Sequence, residues 1–196
     1  MGQRSQIYIR YKTETGYRLI ANYYQWNYGE HMISRARHGI EWLDQFREYY
    51  RWWFRDNEEK IRRYFDVNFD AQDIVMHHNI NEEFEQDMNE AYCQDVGLNQ
   101  YAFQMQDNND GKLLIDITES EIRYAFLDWS GSETSLMTPT EYMDWDEEGW
   151  RWNGYTDQGT CLANIKALES YPLMTREQVH DILTCQYEND PTIPLF

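Results

Sequence analysis

Residues 101–129 read YAFQMQDNNDGKLLIDITESEIRYAFLDW, and the fold turns on how the strands in this stretch pair. Two alternating runs, YAFQMQ and KLLIDI, flank NDG. An Asp-Gly pair readily supplies the positive φ angles of a tight turn, so the spacing predicts a hairpin across Asn109–Gly111. EIRYAFLDW alternates again and reads as a third strand. A calcium loop is the competing reading of QDNNDGKLLIDITE. With Gly111 at loop position six, Gln106 and Ile117 fall where the anchoring carboxylates belong, which disfavours it.

Upstream, SQIYIRY and YRLIANYY alternate about the turn KTETG and predict a β-hairpin over about 6–12 and 17–24. A long helix is expected at about 30–64, because Ile33, Ala36, Ile40, Leu43, Phe46, Tyr50 and Trp53 recur at steps of three and four. Gly39 is tolerated in it at a modest cost. Its other side carries Arg47, Arg51 and Arg55, and KIRRYF adds Arg62 and Arg63. A break near RDNEE is allowed, with Asp56 or Asn57 as a cap. Trp42, Trp53, Tyr50 and Phe54 read first as packing.

An acidic helical segment follows, with Asn81 as N-cap and Glu82, Glu83 and Glu85 in its first turn, where negative charge is favourable. Beyond the strands, LMTPTEYMDWD reads as a short edge strand or loop because Pro139 cannot donate to a ladder. GWRWNGY reads as a last strand, with Trp150 and Trp152 on one face and Arg151 on the other. Asp144, Asp146, Glu147 and Glu148 are then expected at an exposed turn. TCLANIKAL and TREQVHDILT predict two short closing helices, the second with a capping box from Thr175 to Gln178. The sum is an α+β fold: an N-terminal β-hairpin, a long basic amphipathic helix, an acidic helical region, then an antiparallel strand-rich half with two closing helices. One domain over 1–196 is expected, with a possible subdivision into a basic unit 1–65 and an acidic unit 66–196.

Charge gives the strongest functional signal. The formal net charge is −18, and aromatic residues make up 16% of the chain, more than a disordered acidic tail carries. Residues 1–65 hold 12 Lys/Arg against 8 Asp/Glu, whereas residues 66–196 hold 5 against 27. Such an acidic surface repels nucleic-acid phosphates at long range and favours a basic partner. The basic segment either folds onto the acidic part, touches nucleic acid, or meets a second copy head to tail.

Signatures of catalysis are missing: no P-loop, GxGxxG, GxSxG or HExxH is present. Adjacent His77 and His78, among scattered carboxylates, support only a secondary reading as a metal-dependent hydrolase. No cofactor is expected. Cys93, Cys161 and Cys185 contain no CxxC pair, and MGQRSQIYIRY has no long apolar stretch, so a cytoplasmic protein without a membrane span is expected.

The opening MGQRSQIYIRY and the stretch NYYQWNYGEHMISRARHGIEW resemble the start of small proteins carried by phages and mobile elements, among them the type II anti-CRISPR proteins. This resemblance covers roughly the first fifth of the chain. It implies a non-enzymatic inhibitor that binds Cas9 with its guide RNA and blocks DNA engagement or cleavage. Asp144, Trp145, Asp146, Glu147, Glu148, Trp150, Glu82, Glu83 and Glu85 are the candidate partner-binding residues. Arg47, Arg51, Arg55, Arg62 and Arg63 are candidates for an intramolecular or nucleic-acid contact.

Overall fold

The computed structural model describes residues 4–25, 31–66, 110–145, 151–152 and 158–189. The acidic helix expected near 81–92, the strand expected at 101–106, His77, His78, Cys93, residues 146–150 and the tail from 190 lie outside the described residues. The fold is α+β. A four-stranded mixed sheet carries six α-helices among the described residues.

The N-terminal hairpin forms as expected: β1 (Arg4–Lys12) pairs antiparallel with β2 (Tyr17–Gln25). β3 (Lys112–Ile117) and β4 (Ile122–Leu127) form the second antiparallel pair. The sheet order is β2-β1-β3-β4, with β1 and β3 parallel, so strands from both halves of the chain share one sheet. Both edges of β3 are therefore occupied, by β1 and β4. This corrects the hairpin expected across NDG: a strand at 101–106 has no free edge of β3 to pair with. Gly111 does adopt a positive φ of 86°, but it leads into β3 rather than closing that turn. A Cβ there would stand 2.5 Å from the Leu127 carbonyl oxygen.

Period-two alternation decides what each face of the sheet buries. Ile7, Ile9, Leu113, Ile115, Tyr124 and Phe126 project to one face, into a core shared with α1 (His31–Asp44), α2 (Tyr50–Asp56), α3 (Glu58–Asp66), α4 (Pro139–Asp144) and α5 (Gln158–Leu168). Tyr8, Leu19, Leu114, Ala125 and Leu127 project to the other, under α6 (Arg176–Thr184), Met174 and Tyr187. Across this second face one register row runs Arg10, Asp116, Arg123. The fully buried Asp116 accepts from Arg10 through Nε (2.8 Å) and Nη2 (3.0 Å), and from Arg123 Nε at 2.8 Å. Arg10 also donates to Asp181 on α6. Burial works against the guanidinium charge of Arg10, but these carboxylates outweigh it and raise its pKa. The pairing satisfies charges that would otherwise be costly to bury.

The single long helix is replaced by three helices and a 3-10 turn at Arg47–Tyr49. A straight 35-residue helix would run about 50 Å, past a nine-residue strand of about 30 Å. Asn57 makes the second break: its Nδ2 donates to the Trp53 carbonyl at 2.8 Å, while its own carbonyl takes the Ile61 N–H. The bends bring Phe46 onto Trp53, stacked at 3.8 Å, and Trp42 onto Tyr64, stacked at 3.9 Å. Gly39 has a packing reason, since a Cβ there would lie 2.3 Å from the Phe65 ring.

Two further expectations are corrected. LMTPTEYMDWD is neither strand nor loop over Pro139–Asp144: Thr138 and Glu141 form a capping box, and Pro139 fills the first helical position, where a missing N–H costs nothing. Met137 makes only an isolated bridge to Phe126. Arg151 and Trp152 are helical rather than extended. The closing helices α5 and α6 stand where expected, and the Thr175–Gln178 capping box is present. Both sheet edges are covered. Asn189 pairs its side-chain amide with the Leu19 N–H and carbonyl on β2, and Pro172, Met174 and Met137 bond the backbone of β4. Such covering blocks edge-to-edge association. Among the described residues, no helix is long and apolar enough to cross a membrane.

Candidate functional site: an acidic end and an arginine-aromatic end

β3 runs between two charged elements. At its start lie Asp110, Asp144 and Arg151. Arg151 is buried there, stacked over Tyr142 at 4.5 Å and Trp145 at 4.6 Å from ring centroid to guanidinium carbon. It donates to the Tyr142 carbonyl at 2.8 Å and to the Asp110 carbonyl at 3.3 Å, and its Nη2 stands 3.7 Å from the Asp110 carboxylate. Trp152 Nε1 donates to Asp144 Oδ1 at 2.7 Å. Arg151 thus faces inward, which corrects the expected strand with its arginine outward. The physical reason is that a guanidinium between two aromatic rings gains cation–π attraction and satisfies carbonyls at the same time.

These contacts tie Asp144 and Trp145 to Arg151 and Trp152. Asp144 is exposed and Trp145 half-buried against the core. Asp146, Glu147, Glu148 and Trp150 lie outside the described residues, as do Glu82, Glu83 and Glu85. Two residues at this end went unread in the sequence. One is Arg151 as the clamp. The other is Trp129, 61% exposed in the turn after β4 and next to Asp128. A tryptophan set between Asp128 and the turn residues SGS was the available signal for the second.

At the far end of β3, Arg47 donates to the Ser120 carbonyl and pairs with Asp44 at 3.0 Å, while Arg51 reaches Glu119 at 3.9 Å. Tyr11 and Arg18 both donate to Glu58, and Arg62 donates to the Ala21 carbonyl. Arg47 and Arg62 are therefore spent within the fold. Arg51 and Arg55 point outward, each with 58% of its side chain exposed. Arg63 lies in α3. Between the arginines stand two exposed aromatic residues, Tyr49 at 50% and Trp52 at 53%, ring centroids 5.8 Å apart. The Tyr50 hydroxyl accepts from Arg51 Nε, which raises the pKa of that arginine. Six β3 residues at about 3.3 Å each separate the two ends by about 20 Å.

Among the described residues, no group of three His, Cys, Asp or Glu side chains is placed to hold a metal ion. Cys161 and Cys185 are free thiols. Compared with known proteins, the chain matches no family model, no curated protein and no solved structure.

Proposed function

We propose that the chain is a binding protein that docks its acidic end on a basic nucleic-acid enzyme and so blocks the binding or cleavage of DNA. Guide-loaded Cas9 is the enzyme that the N-terminal resemblance suggests. The observation that carries this reading is the Arg151 clamp. It holds Tyr142 and Trp145 against the core at the start of β3, the end of the sheet where Lys112 reaches the carbonyl of the exposed Trp129. Flanking residues held this way lose less conformational freedom on docking, which preserves affinity. A large exposed aromatic anchor next to a carboxylate, as Trp129 is to Asp128, suits an Arg/Lys-rich groove. The net charge of −18 adds electrostatic steering toward such a surface.

The test is a pull-down with guide-loaded Cas9 at low and moderate salt, with Trp129→Ala and a triple reversal of Asp146, Glu147 and Glu148 to Lys as controls. Binding that weakens in both variants supports the reading, and absence of binding at both salts rejects Cas9 as the partner. Head-to-tail self-assembly is a second reading, favoured by the opposite charges at the two ends of β3. Light scattering across ionic strength separates it: a monomer at every salt concentration excludes it.

A further inference from the structure

We infer that the outward face of α2 and the preceding turn is a second site, one that holds a single strand of nucleic acid. The site goes beyond the proposed docking of the acidic end and stands on different residues. Arg51, Trp52 and Arg55 lie at steps of one, three and four, so they share one side of α2. Tyr50 and Phe54 on the opposite side are buried in the core. Exposed aromatic rings on a soluble surface indicate contact with something that has flat apolar faces of its own. Bases of a single strand present such faces, and aromatic side chains with arginine are how single-stranded nucleic acid is held.

Three observations favour this occupant over an acidic protein segment. First, Trp52 and Tyr49 form a tilted pair, 57° between planes, which offers two stacking surfaces rather than one closed sandwich. Second, the platform is braced. The neighbouring Trp53 is stacked on Phe46 at 3.8 Å and meets Trp42 edge-on at 5.8 Å, so the helix carrying Trp52 is fixed against the core. Third, the exposed arginines have replaceable partners. Arg51 keeps its Nε on the neutral Tyr50 hydroxyl and has Glu119 at 3.9 Å from Nη2, while Arg55 has its own neighbour Asp56 at 3.2 Å; both carboxylates are on the surface. Exposed pairs of that kind contribute little and exchange readily for phosphate. The carboxylates described at the other end of β3, Asp110 and Asp144, do not forbid this contact, because about 20 Å exceeds the screening length of about 8 Å at physiological ionic strength.

Fluorescence anisotropy with labelled oligo-uridine and oligo-thymidine, using the full chain alone, tests the site without any partner enzyme. We expect binding at about 50 mM salt that weakens with a log–log slope near −1.4, about 0.7 for each of two arginines on a single strand. Trp52→Ala should weaken binding about 5- to 160-fold, the loss of one stacked base, and should remove the tryptophan quenching that accompanies binding. Arg51→Glu with Arg55→Glu should abolish it. These side chains are exposed, and an unchanged melting temperature confirms that each variant folds. A preference for RNA or for DNA identifies which strand is held. The inference is overturned by no binding at about 50 mM salt, by binding that ignores these substitutions, by a blunt duplex binding as tightly, or by an oligoglutamate peptide competing as well as the oligonucleotide. The last result would mark the face as a protein-docking surface.

Discussion

Lys112 offers a sharp test of the packing described for the sheet. It opens β3, its side chain is fully buried, and its Nζ donates to the Trp129 carbonyl at 2.8 Å. Burial pushes the pKa of this ammonium down to about 8, with the Asp128 charge opposing part of the effect. A folded-state value below the unfolded one means that the unfolded chain holds the proton more tightly. Stability must then rise as pH climbs from about 8 toward the unfolded value of 10.5, and below about 8 the penalty is fully present. At 1.36 kcal/mol for each pH unit, the penalty amounts to about 3 kcal/mol. Lys112→Met keeps the length of the side chain and removes the charge. It also removes one hydrogen bond, worth about 1 kcal/mol, but Trp129 is exposed and water can take over its carbonyl. The variant should therefore be more stable than the parent by about 1–3 kcal/mol at neutral pH. The difference should shift by about 3 kcal/mol in favour of the parent by about pH 10.5. Urea unfolding of both proteins at the two pH values measures this, and tyrosine titration cancels in the comparison. A stability difference that is the same at both pH values would refute the buried-lysine account.

Other substitutions probe separate parts of the structure. Gly39→Ala normally stabilises a helix by about 1 kcal/mol, yet here it should destabilise by about 1–3 kcal/mol, because the new Cβ meets the Phe65 ring. Thermal melts read the sign, and pairing it with Phe65→Leu should recover most of the loss. Asp116→Ala removes the buried carboxylate that Arg10 and Arg123 share, leaving Asp181 and Glu121 as their partners, and should cost about 3 kcal/mol in denaturant unfolding. Arg151→Met should cost a similar amount, about 3–5 kcal/mol, by uncoupling Asp110, Tyr142 and Trp145. Hydrogen exchange should then accelerate at Tyr142–Trp145 before it does in the strands.

Short-range features were legible in the sequence where one local rule governed them. Alternation located β1, β2 and β4, and the Thr175–Gln178 spacing located α6. Pairing was not legible, because KLLIDI alternates identically whether its neighbour is the run before NDG or a strand a hundred residues upstream. Charges at the centre of YIRY, LIDI and EIRY were a usable sign of a buried row, since each interrupts an apolar strand. Only the register shows that they meet. Pro139 was misread for a related reason. Its missing N–H excludes a central strand but equally suits a helix start, and Thr138 with Glu141 decides between them. The arginine helix was foreseen as a basic face, and the break near RDNEE falls at Asn57 as allowed, but the bend at Arg47–Tyr49 was not read. Those bends leave Arg51 and Arg55 outward while Arg47 and Arg62 are held within the fold.

Association kinetics with immobilised guide-loaded Cas9 test the central claim most directly. The parent should bind, and reversing Asp146, Glu147 and Glu148 to Lys should slow the on-rate about tenfold or more at low salt, with the effect shrinking as salt is added. An on-rate unchanged by that reversal, or no binding by the parent at any salt concentration, would contradict it.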